Sequence, residues 1–283
     1  MGLMIHCGAQ HATLDQVQAV QTPPVFEATG HTPIPHMLIR DGMISSLEKF
    51  WPEVEVIEEA HALQHDGSTY FGFARLAERV VTDTTQFAGQ VARPQSTERT
   101  ITLGWRNFHG VRQDDGTLAH SGSAGAVAGS HTIVCDNLVF TGDVRWATVH
   151  SRFILRRMSR LIEGTIPRLQ QFAVDQDVRH DAYSSRFLSY EEGNDLIVRA
   201  VKAGVVAPSK ILKVEAEWEK PSHEEHLDFA TGRRTLNTLQ QAFTETLKDY
   251  RIPVQVDRGI VLTGVLDNVV GIHRQQHEVI SNN

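Results

Sequence analysis

The sequence predicts an α+β fold: an antiparallel sheet of four or five strands with a long basic helix, followed by a helical C-terminal part. Three observations carry this. Segments between residues 54 and 140 alternate apolar and polar side chains or run β-branched, and turn chemistry bounds them. From Asp143 the period becomes helical and holds to about Gln176. Beyond residue 180 the apolar spacing stays helical, and Pro208, Pro221 and Pro253 cut it into separate pieces. Strands first and helices later is the α+β order. It divides the chain into a core over residues 1–180 and a helical part over 181–283 packed on the same domain.

Each element has its own signal. Thr13 caps a short helix that Pro23 and Pro24 end. After Pro33 and Pro35, residues 36–50 keep helical spacing through Met37, Ile39, Met43 and Leu47, and Trp51-Pro52 closes them. Residues 54–63 and 68–76 are strands joined by Gln64-His65-Asp66-Gly67, a hairpin turn. A polar stretch over 82–98 leads to a strand at Arg99–Trp105. Leu118 to Ala128 is small and glycine-rich, which suits close backbone packing or a mobile loop. His131–Phe140 is a β-branched strand, and Asp143 is placed to cap the long helix 143–176, which Gly164 and Pro167 can kink. Further helices fall near 190–203, 234–248 and 257–270.

The 283 residues carry a net charge of −7, unevenly spread. Residues 1–143 hold 8 basic and 16 acidic side chains; residues 144–283 hold 19 and 18. Between 144 and 186 there are 8 Arg, no Lys and only 4 acids. On a helical wheel Ile154, Leu155, Met158, Leu161 and Leu169 fall on one side, with Arg145, Arg152, Arg156 and Arg160 opposite. Arginine forks suit phosphates, and they equally suit carboxylates of the acidic first half. Trp105, Phe108, Trp146 and Phe153, near this basic region, suit either base stacking or core packing. No apolar run reaches bilayer length, the N-terminus lacks a basic leader, and Cys7 and Cys135 cannot build a disulfide framework, so the expected location is cytoplasmic, away from membranes.

Fifteen histidines raise the question of a metal. The densest grouping is His109, Asp114, Asp115, His120 and His131, without a zinc signature. His223-Glu224-Glu225-His226 has ligand spacing on a helix, but Ser222 with Glu225 matches a capping box. Gly116–Gly129 lacks the Gly-Lys-Ser/Thr ending of a phosphate loop, and no Gly-x-Ser-x-Gly elbow is present. No metal, cofactor or catalytic residue is assigned.

Trp105-Arg-Asn-Phe-His109, Thr132-Ile-Val-Cys-Asp-Asn-Leu-Val-Phe-Thr-Gly142 and His150-Ser-Arg152 together resemble a phage- and plasmid-associated family, domain of unknown function 932. Asn107, His109, Cys135, Asn137, His150 and Arg152 occupy its recurring blocks; Pro33–His36, Asp66-Gly67 and Arg199–Val206 are also similar. The resemblance spans residues 12–272, and the chain departs from the pattern at Phe108 and Gly110. It implies a mobile-element origin. A sheet followed by a long basic helix is also similar in order to the core of phage single-strand annealing recombinases, an analogy of fold alone. The expectation is a non-catalytic, homo-oligomeric nucleic-acid-binding protein using Arg145, Arg152, Arg156, Arg160, Asn107, His109, Asn137 and His150. Two alternatives stand beside it: a metal-dependent hydrolase or nuclease built on His109, Asp114, His120 and His131, and an interaction protein that docks a host defence or replication factor.

Overall fold

The computed structural model describes residues 10–27, 30–81, 96–112, 118–131, 138–222, 234–250 and 252–272. It begins with β1 (Gln10–His11) and α1 (Leu14–Gln18), where Thr13 and Gln16 form a reciprocal capping box. Helix α2 (His36–Phe50) follows the two prolines and buries His36, Ile39, Met43, Ser46 and Leu47, a stripe at helical spacing. Strands β2 (Val54–Gln64) and β3 (Thr69–Val81) make the expected hairpin. Its turn takes the left-handed region at His65, Asp66 and Gly67, with φ of 54°, 52° and 84°.

Three strands complete an all-antiparallel sheet in the order β1 to β6: β4 (Ser96–Arg112), β5 (Leu118–His131) and β6 (Leu138–Val149). The sheet thus has six strands, and β5 is the glycine-rich stretch. Its Ala124, Ala126 and Ala128 are buried in the core between Trp105 of β4 and Trp146 of β6. Small residues are what a central strand needs when both neighbours carry indoles.

Residues 143–149, expected to begin the long helix, are strand. Val144, Trp146 and Thr148 are buried while Arg145, Ala147 and Val149 are exposed, a period of two. The long helix α3 runs over Ile154–Ser185, with Pro167 inside it. Ile154, Met158, Ile162, Ile166 and Leu169 pack against the sheet and α2, and Trp146 Nε1 donates to Thr165 Oγ1 at 3.0 Å. Leu155, expected on the apolar side, is exposed.

Helices α4 (Tyr190–Lys202), α5 (Ile211–Glu219), α6 (Leu236–Leu247) and α7 (Ile252–Val270) form the helical C-terminal part around a second core with Trp218 and Phe243. The end of α3 reaches it: Tyr183 and Arg179 hold Asp267 of α7 at 2.6 and 3.1 Å. The start of α7 covers the other face of the sheet, where Val256 and Ile260 meet Ala62, Phe71 and Phe73. Among the described residues no helix is long and apolar enough to cross a membrane.

Candidate functional site: a buried histidine lock beside an arginine ridge

Along β4, Ile101, Leu103 and Trp105 face α2 and α3, and the same alternation carries Asn107 and His109 onto that face. His150 arrives there at the end of β6. Residues 31–36 fold over this end of the sheet and add His31 and His36. All five side chains are buried.

Asn107 joins them. Its Nδ2 donates to Ile34 O at 3.0 Å and to His36 Nδ1 at 2.9 Å, and its Oδ1 accepts from His150 Nε2 at 2.9 Å. His36 is therefore protonated on Nε2, which donates to Gly67 O at 2.7 Å in the hairpin turn. His109 Nε2 donates to Ile34 O at 2.9 Å, and its ring stacks on His36 with centroids 4.0 Å apart. His31 presents Nδ1 to His150 O at 3.1 Å and Nε2 to His109 O at 3.0 Å. Gly122 of β5 lies between the two carbonyls. A Cβ there would stand 2.6 Å from His150 Nδ1 and 2.8 Å from His31 Cε1, so the ring crosses only a glycine.

Burial sets the protonation states. It pushes His36 down to about 4 despite the Gly67 carbonyl, and His150 down to about 3, helped by the neighbouring histidines. His109 is lowered mainly by the same desolvation. His150 Nδ1 is left buried without a hydrogen-bond partner. A second chain runs alongside: Trp105 Nε1 donates to Tyr70 Oη at 3.1 Å, Tyr70 Oη lies 3.0 Å from His61 Nδ1, and burial raises the phenol pKa. Imidazoles hydrogen-bonded to Asn107 and to backbone carbonyls make a lock that holds residues 31–36 on the sheet.

Three residues expected to contact nucleic acid, Asn107, His109 and His150, thus lie inside, where they offer no surface to a polyanion. Of the residues named in the family resemblance, Ile34, His36, Gly67, Asn107, His109 and His150 form one contact set, whereas Arg152 is exposed and Arg199–Val206 belongs to the helical part. Asn137, Cys135, Asp114, Asp115 and His223–His226 lie outside the described residues. His120 is exposed, and among the described residues no group of three or more His, Cys, Asp or Glu is placed to hold a metal ion.

The arginines divide. Arg145 is on β6, on the sheet face away from α3, and its Nη1 pairs with Asp257 of α7 at 2.7 Å. The expectation that it joins an outward, unneutralised arginine face is corrected: strand alternation turns it toward α7. Arg157 and Arg168 are half-buried and make contacts of their own. Arg152, Arg156 and Arg160 are exposed and, among the described residues, have no carboxylate partner. Arg156 and Arg160, four residues apart, stand about 6 Å apart along one side of α3, and Arg152 lies in the turn just before the helix. Beside them Phe153 is 69% exposed, whereas Trp105 and Trp146 are buried. Phe153 is also the N-cap of α3 and gives no side-chain cap, so the positive end of a 32-residue helix adds to the same patch.

Comparison with family models, curated proteins and solved structures finds no match for this chain.

Proposed function

We propose that this is a non-catalytic nucleic-acid-binding protein of phage or plasmid origin, acting on single strands in binding or annealing as a homo-oligomer. One observation supports it above the rest: Arg152, Arg156 and Arg160 stand exposed without carboxylate partners among the described residues, next to an exposed Phe153. Guanidinium groups supply sequence-independent phosphate contacts, and an aromatic face supplies the stacking that single strands, unlike duplexes, leave available. The histidine lock contributes by position. His150 N donates to Gly122 O at 2.8 Å, fixing the chain two residues before Arg152.

The test is the salt dependence of affinity for a short oligothymidylate, read by fluorescence anisotropy. Each of the three arginines changed to Gln lowers the log–log salt slope by roughly 0.7. Absence of binding at low salt, or an affinity that salt does not change, rejects the reading.

A further inference from the structure

We propose that Arg106, anchored on Ser123 and neighboured by Arg145, forms an anion site that takes a phosphate group on the sheet face opposite the α2 and α3 packing. This goes beyond the reading above, because the site lies on the other side of the sheet from Arg152, Arg156 and Arg160.

Alternation along β4 places Asn107 and His109 in the lock and turns Arg106 the other way. The guanidinium is half-buried. Nη2 donates to Ser123 Oγ at 3.1 Å, and among the described residues Arg106 faces no carboxylate. Other enclosed arginines are matched differently. Arg40 holds Glu59 through two bonds of 2.9 and 2.6 Å, and Arg179 holds Asp267 at 3.1 Å. A guanidinium has five N–H donors, and a partly desolvated cation without a counter-charge is costly. Desolvation, and then the charge of Arg145, lower the pKa of Arg106, as expected of a cation short of an anion. Asp257, on the helix that covers this face, is held by Arg145.

The β5 and β6 neighbours are small. Ser121 and Ala147 are exposed on this face, Gly125 pairs directly with Arg106 in register, and Ser123 offers its hydroxyl. Phe71 pairs with Arg106 on the β3 side, and the small side chains on the β5 side leave the anchored guanidinium open to a tetrahedral oxyanion, which accepts paired N–H bonds and a hydroxyl bond. Free inorganic phosphate and a nucleic-acid phosphodiester share this chemistry.

The experiment uses the isotope-labelled full chain, following the Arg106 Nε–H signal and the Ser123 and Gly125 amides during titration with inorganic phosphate and, separately, with oligothymidylate. The expected result is a saturable phosphate response that Arg106→Gln abolishes, that Ser123→Ala weakens roughly fivefold, and that the triple change of Arg152, Arg156 and Arg160 to Gln leaves intact. Thermal unfolding checks that each variant is folded, and Ser123→Ala keeps the test decisive should Arg106→Gln fail to fold. Signals that drift without saturating, or that respond equally in Arg106→Gln, overturn the site. Oligothymidylate moving the same signals in the triple variant assigns the phosphodiester as the source; response to inorganic phosphate alone assigns the free anion. Phosphate saturation without any oligonucleotide binding rejects the arginine-ridge reading only, and the reverse rejects this site only.

Discussion

His150 and Arg152 stand two residues apart and belong to opposite environments. His150 is 3% exposed and spends its Nε2–H on Asn107, whereas Arg152 is exposed with no carboxylate partner among the described residues. Both are polar residues in one basic stretch, and both suit a polyanion on residue type alone. Burial separates them: the inner group can only position, and the outer group can only contact. Changes at the lock should therefore act on stability and pH response, and changes at the ridge on binding alone.

The largest expected effect is Asn107→Ala. It removes three hydrogen bonds and leaves His150 Nε2–H and His36 Nδ1 unpaired, at a cost of about 3–5 kcal/mol. Urea unfolding measures it, and a loss below about 1 kcal/mol would mean that the lock is not a stabilising network.

Acid comes next. Below about 6.5, the value of a free histidine, the unfolded chain takes up protons that folded His36 and His150 refuse until about pH 4 and about pH 3. Stability therefore falls as pH drops through this window, by about 1.4 kcal/mol per pH unit per histidine, and by about 2–4 kcal/mol in sum between pH 7 and pH 5. Unfolding curves across that range, with His150→Gln flattening the slope, check the sign.

Gly122→Ala forces a Cβ to within 2.6 Å of His150 Nδ1 and Phe108 O and should cost about 1–3 kcal/mol. The smallest effect belongs to the exposed pair: Arg145→Ala should change stability by less than about 1 kcal/mol, since its bond to Asp257 is solvated.

The same contrast governs what the sequence made legible. The hairpin and α2 are local events, set by Asp66-Gly67 and by Pro35 and Trp51-Pro52, and their limits matched closely. Strand β5 was hidden because its alanines and glycines carry no apolar period of their own; the indoles of Trp105 and Trp146, from other strands, fill the space. The start of α3 was displaced because Arg145 lies at helical spacing from the later arginines, although Val144, Trp146 and Thr148 already alternated. The lock joins residues 31 to 119 positions apart, beyond the reach of any local pattern, and the resemblance named Pro33–His36, Asn107, His109 and His150 without placing them together. His31 and Gly122 went unrecognised; the polar continuation Trp105-x-Asn107-x-His109 of a buried strand face was the available signal for the site.

The most direct measurement of the central claim is photochemical cross-linking of a single-stranded oligothymidylate to the full chain, mapped by mass spectrometry. The account predicts a major adduct on the peptide that holds Phe153, lost when Arg152, Arg156 and Arg160 are changed to Gln while the unfolding midpoint stays put. Adducts confined to other segments, or undiminished in that variant, would contradict it.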